Sequence, residues 1–311
     1  MDVLISEVGP RDGLQNIATT MPTATKMAWI AAEAAAGVRE IEVGSFVPPK
    51  LLPQLADTGE LVAYAKTIPG LTVAALVPNA RGAEAAIAAG ADKITLPLSV
   101  SETHSLRNLR KTHDQVIAEA TAIGAMIAAL PAERRPHFEG SLSTAFGCTI
   151  EGRVADRALL ALGERLMAAG CDEVGLADTS GYADPVSVKR VVRLLRDAFG
   201  AAAVAGIHLH NTRGLGAANA LAALDAGITT FDSSLGGLGG CPFAPGASGN
   251  VVTEDLVFMF EAMGLSTGID LDELIAVRSV IRSALGEEPL YGFVPDAGLP
   301  VGFRDSAALA A

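Results

Sequence analysis

GIHLHNTRG at residues 206–214 and FDSSLGGLGGCPFAPGASGNVVTEDL at residues 231–256 decide how this chain is read. The first stretch closes an apolar run, VAGIHLH, with two histidines two residues apart. Side chains alternate between the faces of a strand, so His208 and His210 project from one face at the strand's end. Two imidazoles placed in this way form a chelate. In the second stretch Cys241 follows four glycines interrupted only by Leu238, and Asn250 stands between Gly249 and a segment of helical pattern. A thiol on a glycine-rich loop near a His-x-His pair points to metal-assisted chemistry, provided that other segments bring further ligands to the same place.

Working outward, β-type runs recur every 30 to 40 residues, the spacing of a βα unit. They are Val3–Val8, Val38–Val43, Leu71–Val77, Lys93–Leu98, His137–Phe146, Glu173–Ala177, Val204–His208 and Thr229–Ser233. Helical patterns lie between them, at Thr23–Ala36, Leu55–Lys66, Ala80–Ala89, Thr103–Leu130, Arg153–Ala169, Pro185–Phe199, Gly214–Ala226 and Thr253–Met263. Several end in a glycine suited to a helix C-cap (Gly37, Gly90, Gly170, Gly227), each followed within a few residues by the next strand. Eight such units are the arithmetic of an α/β fold of the (β/α)8 TIM-barrel type. An open doubly wound sheet uses the same units, but no G-x-G-x-x-G opens the first helix after the first strand. The expected division is a catalytic barrel over residues 1–264 and a short C-terminal helical extension over 265–311, packed on the barrel and including the helical pattern Leu271–Leu285.

Composition fits one large core of small aliphatic side chains: 311 residues, 50% hydrophobic and 5% aromatic. A net charge of −12 argues against nucleic acid or an anionic membrane surface as partner. The three cysteines, Cys148, Cys171 and Cys241, are too few and scattered for a disulfide framework. With no apolar span of membrane length and no leader-like start, a cytoplasmic protein is expected.

In a barrel the active site lies at the C-terminal ends of the strands, and the suggestive residues fall there. Arg11 and Asp12 follow the first strand, Glu42 ends the second, Ser143 and Thr144 lie late in the fifth and Asp178 follows the sixth. His208 and His210 end the seventh, and Cys241 and Asn250 sit after the eighth. Asp12, His208, His210 and Asn250 together offer a carboxylate, two imidazoles and an amide oxygen, a mixed set suited to six-coordinate Mg2+ or Mn2+. Asn250 is equally placed to cap the following helix. Arg11 either holds an oxygen that gains charge during reaction or pairs with Glu42 or Asp178. Cys241 is a nucleophile or a proton donor, and residue type alone does not choose.

EVGPRDGLQN, IEVGSFVPPK, GLADTSG, HLHNTRG and GLGGCPFAPGASGNVVTEDLVFM together resemble the 3-hydroxy-3-methylglutaryl-CoA lyase family, within the metal-dependent TIM-barrel lyases and Claisen-type synthases. The resemblance runs from Val3 to about Gly264 and is most specific in the cysteine-bearing loop. It implies cleavage of 3-hydroxy-3-methylglutaryl-CoA to acetyl-CoA and acetoacetate. It also implies Asp12, His208, His210 and Asn250 as ligands of Mg2+ or Mn2+, Arg11 as the enolate-stabilising arginine and Cys241 as the catalytic thiol, with Glu42, Asp178 and Glu254 as further active-site acids. Arg11, Gln15, Ser143, Thr144 and Arg213 are the expected substrate contacts. The better-known lyases read Asp-Thr-Tyr-Gly-Gln after the second histidine, whereas this chain reads Asn211, Thr212, Arg213, Gly214 and Leu215. A related 3-hydroxy-3-methylacyl-CoA or other branched hydroxyacyl-CoA is therefore the alternative substrate, and a Claisen-type synthase the alternative activity. The basic segment SETHSLRNLRKT, residues 101–112, is either a solvated helix face or a contact for CoA phosphates through Arg107, Arg110 or Lys111. The partner expected is an acyl-CoA, with a homo-oligomer as an open state of assembly.

Overall fold

The computed structural model describes residues 1–239 and 249–303. Among these, eight parallel strands close into a barrel in sequence order: β1 (Leu4–Glu7), β2 (Glu40–Ser45), β3 (Thr72–Leu76), β4 (Lys93–Ser99), β5 (His137–Ser143), β6 (Glu173–Ala177), β7 (Gly206–His208) and β8 (Thr230–Ser233). Closure is made by β1 against β8, with Leu4 opposite Thr230 and Glu7 opposite Ser233. The chain is thus the expected (β/α)8 barrel.

The connecting helices are α1 (Thr23–Ala35), α2 (Thr58–Ala65), α3 (Ala80–Ala89), α4 (Glu102–Asn108), α5 (His113–Ala128), α6 (Asp156–Ala168), α7 (Pro185–Phe199), α8 (Gly216–Asp225) and α9 (Thr253–Ala262). The four glycines read as C-caps all have left-handed φ, at 108°, 90°, 99° and 98° for Gly37, Gly90, Gly170 and Gly227. The pattern Thr103–Leu130 is two helices rather than one. Arg110, at φ 55°, turns the chain, and Thr112 restarts it through a capping box with Gln115. Beyond the barrel, α10 (Leu271–Leu285) packs on α1, and the short α11 (Val294–Ala297) packs on α9. No helix among the described residues is long and apolar enough to cross a membrane.

Alternation divides each strand. In β2, Ile41 and Val43 are fully buried in the hydrophobic core, while Glu40 and Glu42 line the cavity inside the barrel. Such interiors are usually filled by branched apolar side chains. Here the bore carries Ser6, Glu40, Lys93, Thr95, Glu139, Ser141 and Asp232 beneath the strand ends.

Candidate active site

The turn after β1 delivers Arg11 and Asp12. The Val8 carbonyl accepts the N–H groups of Arg11, Asp12 and Gly13 at 3.1, 2.7 and 3.3 Å, curling Gly9–Gly13 into one wide π-turn. Glu7 secures that turn to the loop after β8. Its Oε1 accepts from the Gly9 and Leu235 amides at 2.8 and 2.9 Å, and its Oε2 accepts from the Thr253 hydroxyl at 2.7 Å. The two segments then touch backbone to backbone: a Cβ on Gly239, whose φ is 95°, would stand 2.7 Å from the Gly13 Cα.

The histidines arrive from β7. His208 Nε2 and His210 Nε2 lie 3.0 Å apart, and Asp12 Oδ2 lies 3.9 and 3.8 Å from them. Asn250 is bridged to His210 through the backbone and donates its amide N–H to Asp12 Oδ2 at 2.9 Å. The distances suit one cation. Adjacent ligands of an octahedral ion bound at about 2.1 Å are about 3.0 Å apart, close to the spacing of the two imidazole nitrogens. The Asn250 Oδ1 is buried without a hydrogen-bond partner, an acceptor that a cation would satisfy once the amide turned over. One carboxylate, two imidazoles and an amide oxygen fit a hard divalent ion.

Electrostatics sharpen the arrangement. Burial alone would raise the Asp12 pKa, but Arg11, His208, His210 and Asn250 together hold it far below the ordinary carboxylate range. Arg11 donates to both Asp12 and Glu42. The Glu42 carboxyl is raised by burial in spite of that bond. Burial and the neighbouring His208 push His210 down to about 4, which keeps it neutral and able to ligate. His208 moves the other way: burial opposes its charged form, but a 3.0 Å bond from Nδ1 to Asp232 and the proximity of Asp12 raise its pKa.

Of the residues singled out in the sequence, Arg11, Asp12, Gln15, Glu42, Ser143, His208 and His210 line one cavity of 570 Å³ that opens at the strand ends. Asn250 joins them through Asp12. Four others are buried or turned elsewhere. Thr144 is fully buried at φ 56°, a strained conformation for a β-branched residue, fixed by bonds to Thr179 and Ser101. Asp178 gives its oxygens to the amides of Tyr182 and Ala183 at 2.7 and 3.1 Å, and burial raises its pKa to about 6. Arg213 donates to the carbonyls of Ser180 and Gly181 and stacks on Tyr182 at 4.8 Å. Glu254 accepts the Gly236 amide at 2.9 Å and pairs with Arg278 at 2.6 Å. Arg278 also donates to the Tyr291 carbonyl at 2.9 Å, and the Tyr291 amide donates to Gly236 O at 2.6 Å. Cys241 lies outside the described residues. Sequence reasoning missed Asp232, which is in register with His208, and Glu7, which joins the turn carrying Asp12 to the loop after β8. Strand parity could have found Asp232, since it falls on the inward face beside His208. At the rim, His104, Arg107, Asn108 and Arg110 line the cavity, whereas Lys111 is paired with Glu119 at 2.7 Å.

Over residues 2–281 the chain matches the HMGL-like family. It is 40% identical over 285 residues to a hydroxymethylglutaryl-CoA lyase of Bacillus subtilis, covering 92% of this chain and 94% of that protein. It is also 40% identical over 308 residues to the (R)-citramalyl-CoA lyase of Chloroflexus aurantiacus, covering 95% of each. The solved structure of an HMG-CoA lyase from Acinetobacter baumannii in complex with coenzyme A and 3-methylmalate superposes with a TM-score of 0.89 at 40% identity, covering 97% of each chain. Family match, relatives and barrel agree, and the chain is a lyase of the HMGL-like family.

Proposed function

We propose that this lyase cleaves a 3-hydroxy-3-methylacyl-CoA with the help of a divalent cation, releasing acetyl-CoA and an oxo acid: acetoacetate if the substrate is 3-hydroxy-3-methylglutaryl-CoA, pyruvate if it is citramalyl-CoA. One observation carries the reading. Asp12, His208 and His210 offer ligand atoms all within 4.8 Å of one another, in the wall of a cavity whose rim holds Arg107 and Arg110. Among the described residues neither arginine has an acidic partner, so both are available to the phosphates of CoA.

The reaction is a reverse Claisen (retro-aldol) cleavage. The C3 hydroxyl loses its proton, the C2–C3 bond breaks with its electron pair passing to C2, and the resulting thioester enolate takes up a proton. Asp12, His208, His210 and Asn250 would hold Mg2+ or Mn2+, which would acidify the hydroxyl and orient the substrate. Asp12 is a poor proton acceptor because Arg11 holds its pKa so low. Glu42, raised by burial, is the better one, and Arg11, bonded to the two acids through Nε and Nη1, keeps Nη2 for the enolate oxygen. Cys241 serves as the donor that protonates C2, a role that rests on the family resemblance of its loop.

A second reading, that the acyl group is a shorter relative, is favoured by the equal identity to a citramalyl-CoA lyase. The test is to incubate metal-loaded protein with a panel of 3-hydroxyacyl-CoAs and follow acetyl-CoA. Release from a 3-hydroxy-3-methylacyl-CoA that stops with EDTA is expected. Absence of release from every member, or release indifferent to EDTA, overturns the proposal.

A further inference from the structure

The cavity does not end at the metal-ligand group. We infer that its floor rejects a carboxylate reaching into the barrel, and so favours a 3-hydroxy-3-methylacyl-CoA whose second carboxylate sits on the carbinol carbon itself. This rests on the lyase reading above and names the substrate within it.

The floor is a charged cluster with acid in excess. Lys93 Nζ lies 2.9 Å from Glu139 Oε2, 3.6 Å from Glu40 Oε1 and 3.7 Å from Glu173 Oε2. His137, at the strand starts, bonds Glu173 at 3.0 Å. Space has been left for these acids: a Cβ on Gly175 would stand 2.0 Å from Glu139 Oε1. The cluster is also close to the ligands. Asp232 bonds His208 and is in register with Ser6, and Ser6 is in register with Glu40. Glu40 therefore lies two strands from Asp232 in the same row of the bore.

Glu40, Glu139 and Glu173 surround one ammonium, and the charge of Asp232, bonded to His208, reaches it from farther off. Acid stays in excess even with Glu139 protonated, as burial, which lifts its pKa to about 7, allows. Glu40 is 6% exposed and lines the cavity, and its Oε1 is buried with no hydrogen-bond partner, its nearest counter-charge being Lys93 Nζ at 3.6 Å. A further carboxylate brought beside it would have no proton to offer that oxygen and would add like charge.

With CoA at the arginine rim and the thioester and hydroxyl at Asp12, His208 and His210, the substituents on C3 point toward this floor. In a 3-hydroxy-3-methylglutaryl group a methylene carries the carboxylate one carbon deeper, toward Glu40 and Glu139. In a citramalyl group the carboxylate stays beside the hydroxyl, at Arg11 and the cation. Like charges at close range in a bore of low dielectric are enough to discriminate the two.

The experiment compares kcat/KM for the better enantiomer of citramalyl-CoA with that for 3-hydroxy-3-methylglutaryl-CoA, using the metal-loaded enzyme. A preference for citramalyl-CoA of at least about tenfold is expected, and Glu40→Gln, which keeps the shape and removes the charge, should lower that ratio by about tenfold. If Glu40→Gln fails to fold, Glu139→Gln serves the same purpose with wild type and variant both assayed at pH 9, where the Glu139 carboxyl is ionised. A wild-type ratio near one or below, or a ratio unmoved in the folded variant, overturns the inference while leaving the lyase reading intact. If the wild type cleaves neither of these nor any other thioester of the panel, the proposed cleavage itself fails. The floor is then judged by binding of the two thioesters to the metal-loaded protein, and equal dissociation constants overturn it as well.

Discussion

Asp232→Asn isolates the contribution of one negative charge behind His208, a proposed metal ligand. The carboxylate accepts from His208 Nδ1 at 3.0 Å, which leaves Nε2 as the nitrogen turned toward Asp12 and His210. Asparagine can keep the hydrogen bond through its amide oxygen but not the charge. A bond to a charged group contributes about 1.5–3 kcal/mol and a neutral one about 0.5–1.5 kcal/mol, so the loss is about 1–2 kcal/mol, or about 5- to 30-fold in affinity. The assay is calorimetric titration of apo-protein with Mn2+ at pH 8.5, and an approximately tenfold weaker Kd is expected. Proton competition gives a second signature. Burial alone would lower the His208 pKa, but the bond to Asp232 and the nearby Asp12 raise it, so the wild type contends with a proton at lower pH more than the variant does. The defect should therefore shrink as the titration is repeated toward pH 6. A Kd within twofold of wild type at pH 8.5, or a defect that grows on acidification, would refute the reasoning.

Three other expectations can be checked directly. Cys241→Ala should lower kcat by at least about 100-fold, the usual contribution of a positioned proton donor, with Mn2+ affinity unchanged; wild-type turnover would remove the thiol from the mechanism. Arg107→Ala and Arg110→Ala should each raise KM for the acyl-CoA about tenfold with little change in kcat, the effect fading at high salt, and an unaltered KM would put the phosphates elsewhere. Burial raises the Glu7 carboxyl from 4.5 to about 8, so the folded state binds a proton that the unfolded chain releases. Stability should fall as pH rises from about 5 to about 8, and Glu7→Gln, which mimics the protonated form, should flatten that slope in thermal melts; an unchanged slope would contradict it.

The barrel was legible because two local signals repeat along the chain: apolar runs of strand length, and glycines such as Gly90 that stop a helix just before the next strand. The strand ends were legible too, but not the direction of each side chain. Parity explains which candidates face the cavity. Glu42 is in phase with Glu40, and Ser143 with Ser141 and Glu139, and these line it. Thr144 and Asp178 are one step out of phase, and their side chains accept from neighbouring backbone amides. The break between α4 and α5 was present in the sequence as Thr112-x-x-Gln115, but the helical periodicity of the surrounding residues hid it. The charged bore could not be read in advance. Glu40, Lys93, Glu139 and Glu173 come from four separate strands, and only the stagger of the closed sheet brings them together.

Gly236 is held on both sides of its peptide by groups tied to Arg278, and this places a late part of the chain in charge of an early commitment. During synthesis every strand that supplies a histidine or the aspartate has left the ribosome before Arg278 and Tyr291 are made. A nascent barrel can thus gather Asp12, His208 and His210 while Gly236 still lacks its final fastening. A chain clipped before Tyr291 would retain that trio but lose half of the grip on Gly236, so an assembled trio alone is a poor certificate that the protein is whole.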